Sequence, residues 1–177
     1  MSRDCFLIVA GERSGDVYGG ALAQALKTRI ADAEVFGCGG EAMRTAGVET
    51  LVDIHEVALI GISEVVSGLP KAYRAIKHLV AEAVRRKPEA AILIDSPSLN
   101  LRLAKRLKQH NIPVIYFVSP QIWAWKKWRI RKIKASVDRM LCLFDFETEI
   151  YEKAGVPVEC VGHPLLDLAP PCQTREE

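Results

Sequence analysis

FLIVAGERSGDVYGG, residues 6–20, ends an apolar run in a charged glycine turn and enters a helix at once. A short run with no polar alternation is the pattern of a strand covered on both faces. Glu12, Arg13, Ser14 and Asp16 follow among glycines, and a helix is expected over 17–30 with Asp16 as its N-cap. A buried strand that turns directly into a helix is the opening unit of a parallel sheet, and the rest of the chain repeats it.

Strands are expected at 34–38 (EVFGC), 90–94 (AAILI), 114–118 (VIYFV), 139–144 (RMLCLF) and 158–162 (VECVG), with a weaker one at 48–54. Between them lie amphipathic helices at 70–86, 99–110, 126–137 and 146–155, and an apolar, loosely helical stretch at 58–69. This alternation predicts an α/β fold: a doubly wound, mainly parallel, Rossmann-like sheet with helices on both faces. Such sheets bind ligands beyond the carboxyl ends of their strands. The segments that follow the strands are GERSGD, GCGGEAM, DSPSLN, SPQIWAW, FDFE and GHPLLD, so nearly every unusual residue falls at one edge.

GERSGD lacks the lysine of a P-loop and the spacing of a dinucleotide fingerprint. Two readings stand side by side: a tight, well-capped turn, or a helix start whose amides and Ser14 face a ligand. GCGGEA (37–42) does fit G-x-G-x-x-A, but it follows the second strand and its helix is very short. It reads as a coincidental match, with a nucleotide-dependent Rossmann enzyme as the minor alternative. In DSPSLN, Asp95 closes a wholly apolar strand, and Pro97 is expected to hold Ser96 extended so that the carboxylate points into the crevice. Either Asp95 caps a nearby turn, or it serves as a general base tuned by partial burial.

The net charge of +2 conceals an imbalance: residues 71–134 carry 16 Lys/Arg against 3 Asp/Glu. A surface gathering that charge attracts anionic partners. Within it, Trp123, Trp125 and Trp128 stand beside six Lys/Arg of residues 126–134, a pairing that suits a membrane interface or a sugar-binding wall. No nucleic-acid signature accompanies it. The five cysteines form no C-x-x-C pair and His163 has no ligand-spaced partner, so no metal site is expected. No signal peptide or membrane-spanning run is visible, and a cytoplasmic chain is expected.

Taken together, GERSGD, MRTAG, DSPSLN, SPQIWAWKKWRIRKI, FDFE and VGHPLLD resemble the lipid-A-disaccharide synthase family, in that family's order and over nearly the whole chain. The resemblance implies the amino-terminal domain of a GT-B glycosyltransferase. Residues 1–168 would be a Rossmann-like acceptor-side domain and 169–177 a linker or tail, with the UDP-binding domain absent. The family transfers diacylglucosamine from UDP-diacylglucosamine to the 6-hydroxyl of diacylglucosamine 1-phosphate. It does so without cofactor or metal, peripheral to the anionic inner face of the membrane.

On the matching positions, Asp95 is the catalytic aspartate. Glu12, Ser14, Gly15, Gly61, Glu64, Asn100, Ser119, Gln121, Trp123, Trp125, Arg129, Glu147 and His163 are implied to bind substrate. The pattern departs from the family at Ser98, where a second aspartate is usual, at Leu99 in place of an aromatic, and at Asp145 in place of a proline. Members are also roughly twice this length, so a missing carboxyl-terminal domain or partner chain is implied. A non-catalytic fragment that binds lipid or phosphosugar is the alternative from another class.

Overall fold

The computed structural model describes residues 4–57, 69–122 and 128–168. Seven strands, β1 (Cys5–Ala10), β2 (Glu34–Gly39), β3 (Glu49–Asp53), β4 (Ala90–Ile94), β5 (Val114–Phe117), β6 (Arg139–Cys142) and β7 (Val158–Cys160), form one sheet in the order β3-β2-β1-β4-β5-β6-β7. Every pairing is parallel. The expected doubly wound parallel sheet is therefore the observed one. Its weak third strand is real, bounded at Glu49 and Asp53.

The helices are α1 (Arg13–Arg29), α2 (Glu41–Thr45), α3 (Ile54–Val57), α4 (Leu69–Arg86), α5 (Pro97–Gln109), α6 (Arg129–Ser136), α7 (Asp145–Lys153) and α8 (Leu165–Leu168). Because side chains alternate across a strand, the apolar runs feed two cores. Leu7, Val9 and Leu93 pack under Leu79 of α4, Leu103 of α5, Ile133 of α6 and Tyr151 of α7. Ile8, Ala10, Ile92 and Ile94 face the other way, with Ala23 of α1 and Met43 of α2. β4 is buried at all five positions, as its unbroken apolar sequence requires. Right-handed crossovers explain the division: connections running toward β3 lay their helices on one face, and those running toward β7 lay theirs on the other.

Two local expectations fail. Helix α1 starts at Arg13, four residues before its apolar periodicity begins, and Glu12 is the residue at its N-cap. Asp16 lies inside the first turn, buried, and caps a different helix. Its carboxylate accepts hydrogen bonds from the amides of Gly40 (2.6 Å), Ala42 (3.0 Å) and Met43 (3.2 Å) at the start of α2. A carboxylate there satisfies donors that the helix cannot pair internally. The second failure concerns Ser96. It is left-handed, at φ 44° and ψ 61°, instead of extended. Pro97 excludes only the right-handed helical region for its predecessor, and the left-handed one remained open.

The apolar stretch at 58–68, the Trp-rich segment 123–127 and the tail 169–177 lie outside the described residues. Gly61, Glu64, Trp123 and Trp125 fall there. Among the described residues no helix is long and apolar enough to cross a membrane.

Candidate functional site

The strand order reverses between β1 and β4: the chain winds from β1 outward to β3 and then returns beside β1. That boundary is the switch point of the sheet, where the two adjoining turns diverge and leave a crevice. The β1–α1 turn brings Gly11, Glu12 and Ser14 to it, and the β4–α5 turn brings Asp95 and Ser96. Glycine at 11 is what lets the turns touch, because a Cβ there would lie 2.2 Å from Ser96 Oγ.

The β4–α5 turn is strained and firmly held. Asp95 and Ser96 both have left-handed backbone, at φ 45° and 44°, a state costing on the order of 1–3 kcal/mol per non-glycine residue. Buried polar groups oppose that cost. Tyr116 donates its hydroxyl to the Asp95 carbonyl at 2.5 Å. Asn100 Nδ2 donates to the carbonyls of Ile94 (2.9 Å) and Asp95 (2.8 Å). The Ser96 carbonyl then accepts from the amides of Leu99 and Asn100, starting α5. With its main chain fixed this way, the Asp95 side chain is directed to the β1–α1 turn.

There it meets Glu12. Burial is the first cause pushing the Asp95 carboxyl up to about 7; a hydrogen bond with the Glu12 carboxyl and the Glu12 charge add to it, while the Ser96 amide pulls the other way. A carboxyl beside another carboxyl ionises less readily, because the neighbouring charge repels the one being formed. Ser14 Oγ donates to Glu12 Oε1 at 3.2 Å, so hydroxyl, glutamate and aspartate form a chain. Glu12 and Ser14 are exposed, whereas Asp95 is half-buried. A general base needs this combination: a carboxyl titrating near neutral pH, with access from solvent.

The other sequence-derived site residues divide by burial. Gly15 is buried against the sheet, and a Cβ there would sit 3.3 Å from that of Ala10, so it serves helix packing. Asn100 is 0% exposed and supports the strand end, as described. Ser119 and Glu147 are buried together: Ser119 Oγ donates to Glu147 Oε1, and Glu147 Oε2 accepts from the amides of Leu143 (3.3 Å) and Phe144 (3.2 Å). Asn100, Ser119 and Glu147 shape the edge from behind. Gln121 is exposed just past β5, and Arg129 is half-buried at the start of α6.

His163, past β7, accepts at Nδ1 from the Leu165 amide at 3.2 Å. Its ring meets Tyr18 edge-on at 6.5 Å between centroids and Phe144 at 6.1 Å. Phe144 stacks on Phe146 at 5.7 Å, and Tyr18 also reaches Phe117. This aromatic wall along the carboxyl edge went unread in the sequence, where its members are spread from residue 18 to residue 163. The signal was only that FDFE and GHPLLD each follow a strand.

GCGGEA is closed to a phosphate, since the amides that would bind one are taken by the Asp16 carboxylate. Beside it, between α1 and α2, lies a hollow of about 780 Å³ lined by charges of both signs, among them Arg13, Glu41 and Arg44. Among the described residues no group of three His, Cys, Asp or Glu is placed to hold a metal ion.

Residues 5–177 match the family described as Lipid-A-disaccharide synthetase. The chain is 50% identical over 168 residues to the lipid-A-disaccharide synthase of Acidobacterium capsulatum, covering 95% of this chain and 42% of that protein. It is 43% identical to the Solibacter usitatus enzyme of that name, covering 97% and 45% of the two. With the Coxiella burnetii enzyme it shares 42% identity, covering 100% and 47%. The chain thus spans a little under half the length of these curated relatives.

Among solved structures, the fold is similar to UDP-GlcNAc 2-epimerase from Neisseria meningitidis bound to UDP-GlcNAc. The TM-score is 0.67 at 11% identity, over 92% of this chain and 47% of that one. A putative UDP-N-acetylglucosamine 2-epimerase from Listeria monocytogenes gives 0.64 at 10% identity, over 94% and 50%. At such identities the likeness is one of fold.

Proposed function

Because the chain belongs to the lipid-A-disaccharide synthetase family, we propose that it is the acceptor-side half of an inverting glycosyltransferase. In this reading it helps transfer diacylglucosamine from UDP-diacylglucosamine to the 6-hydroxyl of diacylglucosamine 1-phosphate. The observation that carries the proposal is the Glu12–Asp95 carboxyl pair at the switch point of the sheet.

Asp95, ionised, takes the proton of the acceptor hydroxyl as that oxygen bonds to the anomeric carbon. The bond from that carbon to the UDP oxygen breaks, and UDP departs with the electron pair. Glu12 holds the Asp95 carboxyl in place and raises its proton affinity, and Ser14 orients Glu12. General base assistance of this kind contributes roughly 10²–10⁴-fold. Gln121, Arg129 and His163 stand along the same edge to meet the sugars and phosphates. Gly61, Glu64, Trp123 and Trp125 are assigned to substrate by motif alone. No cofactor, metal or nucleic acid enters the reading.

Residues 1–168 form the acceptor domain in this proposal, and 169–177 lead toward a UDP-binding domain that completes the cleft. The basic stretch 71–134 holds the enzyme to the anionic inner face of the bacterial membrane from the cytoplasmic side. The test is to join this chain to the carboxyl-terminal half of the Acidobacterium capsulatum relative and assay UDP release. Acceptor-dependent release with formation of the disaccharide phosphate supports the reading. A folded hybrid that binds both substrates without turnover overturns it.

A further inference from the structure

Helices α5 and α6 pack side by side on the α4–α7 face and leave a groove of about 660 Å³ between them. Its mouth is formed by Pro97 and Ser98, the residues directly after Asp95 and Ser96. From there it runs along α5 to Lys108 and Gln109. Among the described residues six cations line it, Arg102, Lys105 and Lys108 from α5 with Arg129, Arg131 and Lys132 from α6, and no carboxylate does. At the far end Lys108 is neutralised by Asp138, at 2.6 Å. Arg102, Lys105, Arg131 and Lys132 are exposed and have no ion-pair partner among the described residues.

The groove is not only charged. Leu101 and Ala135 supply apolar lining, and Trp128 stands 55% exposed with Lys132 Nζ over its ring at 4.6 Å. Four unpaired cations concentrated in one concave surface repel each other unless an anion is present. Guanidinium groups bind phosphate oxygens through paired donors. An apolar strip beside them accepts methylene groups at about 0.8 kcal/mol per buried CH₂. A single molecule that satisfies both requirements has a phosphate monoester at one end and an acyl chain beside it.

We infer that the α5–α6 groove seats the phosphate and the proximal acyl chain of the acceptor lipid, with its free hydroxyl turned toward the Glu12–Asp95 pair at the groove mouth. The inference rests on the acceptor proposed above and locates it. The phosphate lies on Arg102, Arg131 and their neighbouring lysines, and the chain lies along Leu101, Ala135 and Trp128. Binding is read without turnover, so its failure is distinct from failure of the glycosyl-transfer reading.

The experiment titrates the 177-residue chain with monomeric dodecyl phosphate by calorimetry, beside dodecyl maltoside and inorganic phosphate. Dodecyl phosphate is expected to bind at least tenfold more tightly than either. The pair Arg102→Ala/Arg131→Ala is expected to weaken it by roughly tenfold or more, the scale of losing a charge-assisted hydrogen bond. Lys153→Ala on α7, outside the groove, leaves affinity unchanged. Should the double arginine variant lose its circular dichroism, Lys105→Ala/Lys132→Ala decides by the same criterion.

Three results overturn the inference: undiminished binding by the folded variants, equal binding of the neutral amphiphile, or equal binding of inorganic phosphate. It is likewise overturned if phosphatidylglycerol vesicles or a single-stranded oligonucleotide bind the chain while monomeric dodecyl phosphate does not.

Discussion

Two acid–hydroxyl pairs lie along the carboxyl edge of the sheet, and they have opposite characters. At the β1/β4 switch, Ser14, Glu12 and Asp95 form a chain open to solvent, in which burial and the neighbouring Glu12 raise the proton affinity of Asp95. Beyond β5 and β6, Ser119 and Glu147 form a pair buried at 7% and 4% exposure. There the Glu147 carboxylate accepts from the Ser119 hydroxyl and from the amides of Leu143 and Phe144. An acid surrounded by donors is structural, because its charge is already satisfied. An acid facing another acid stays partly unsatisfied and is available for chemistry. Residue type and position at the edge were the same in both cases; the partners differ.

Changing both acids in one enzyme gives the largest contrast. In the hybrid described above, Asp95→Asn is expected to lower turnover by roughly 10²–10⁴-fold while the melting temperature stays near that of the parent. Glu147→Ala should do the reverse, with turnover per folded molecule within a few-fold and a stability loss of about 1–3 kcal/mol from stranded buried donors. If Glu147→Ala stops turnover in a fully folded enzyme, the distinction collapses.

Asp16 provides a second structural acid, one that caps a neighbouring helix. Asp16→Ala leaves the amides of Gly40, Ala42 and Met43 without their acceptor. The expected loss is about 2–3 kcal/mol, read as a lower urea midpoint with an unchanged slope. An unchanged midpoint would mean that water replaces the carboxylate freely.

The proton balance at the switch makes a third comparison. Burial, then Glu12, push the Asp95 carboxyl up to about 7 in the folded chain, against about 3.9 when unfolded. The folded state therefore holds this proton more tightly. The resulting stability is complete below about pH 4 and drains away as the pH rises through about 7. Stability of the parent minus that of Asp95→Asn, followed by urea unfolding across this range, should fall with pH. A flat difference would mean that Asp95 holds its proton no more tightly in the folded chain than in the unfolded one.

The smallest effect is expected far from both sites. Glu149 and Lys153 of α7 pair at 2.6 Å with side chains 70% and 73% exposed. A double-mutant cycle should find about 0.3–0.5 kcal/mol, reduced by salt. A coupling above about 1 kcal/mol would show that exposed pairs matter here on the scale of the buried ones.

The sheet is legible in the sequence because unbroken apolar runs, such as AAILI at 90–94, leave little choice but a strand covered on both faces. Asp95 was legible for the same reason, as a carboxylate that no buried strand would carry without cause. Ser14 and Glu12 were placed at the edge by GERSGD alone. The order of strands and helices, and the edge on which unusual residues collect, could be read from the chain directly, since periodicity and turn chemistry are local.

The partners those residues meet came from the folded chain alone. Asp16 looks like a cap for its own helix and caps another one 24 residues on, at Gly40. Asn100, a substrate-binding position by motif, donates to the Asp95 carbonyl. Glu12 shares a hydrogen bond with Asp95 across 83 positions of chain. A carboxylate's role depends on its burial and on which donors or charges surround it. Those neighbours come from elements that only the closed sheet brings together, so no local reading of the chain contains them.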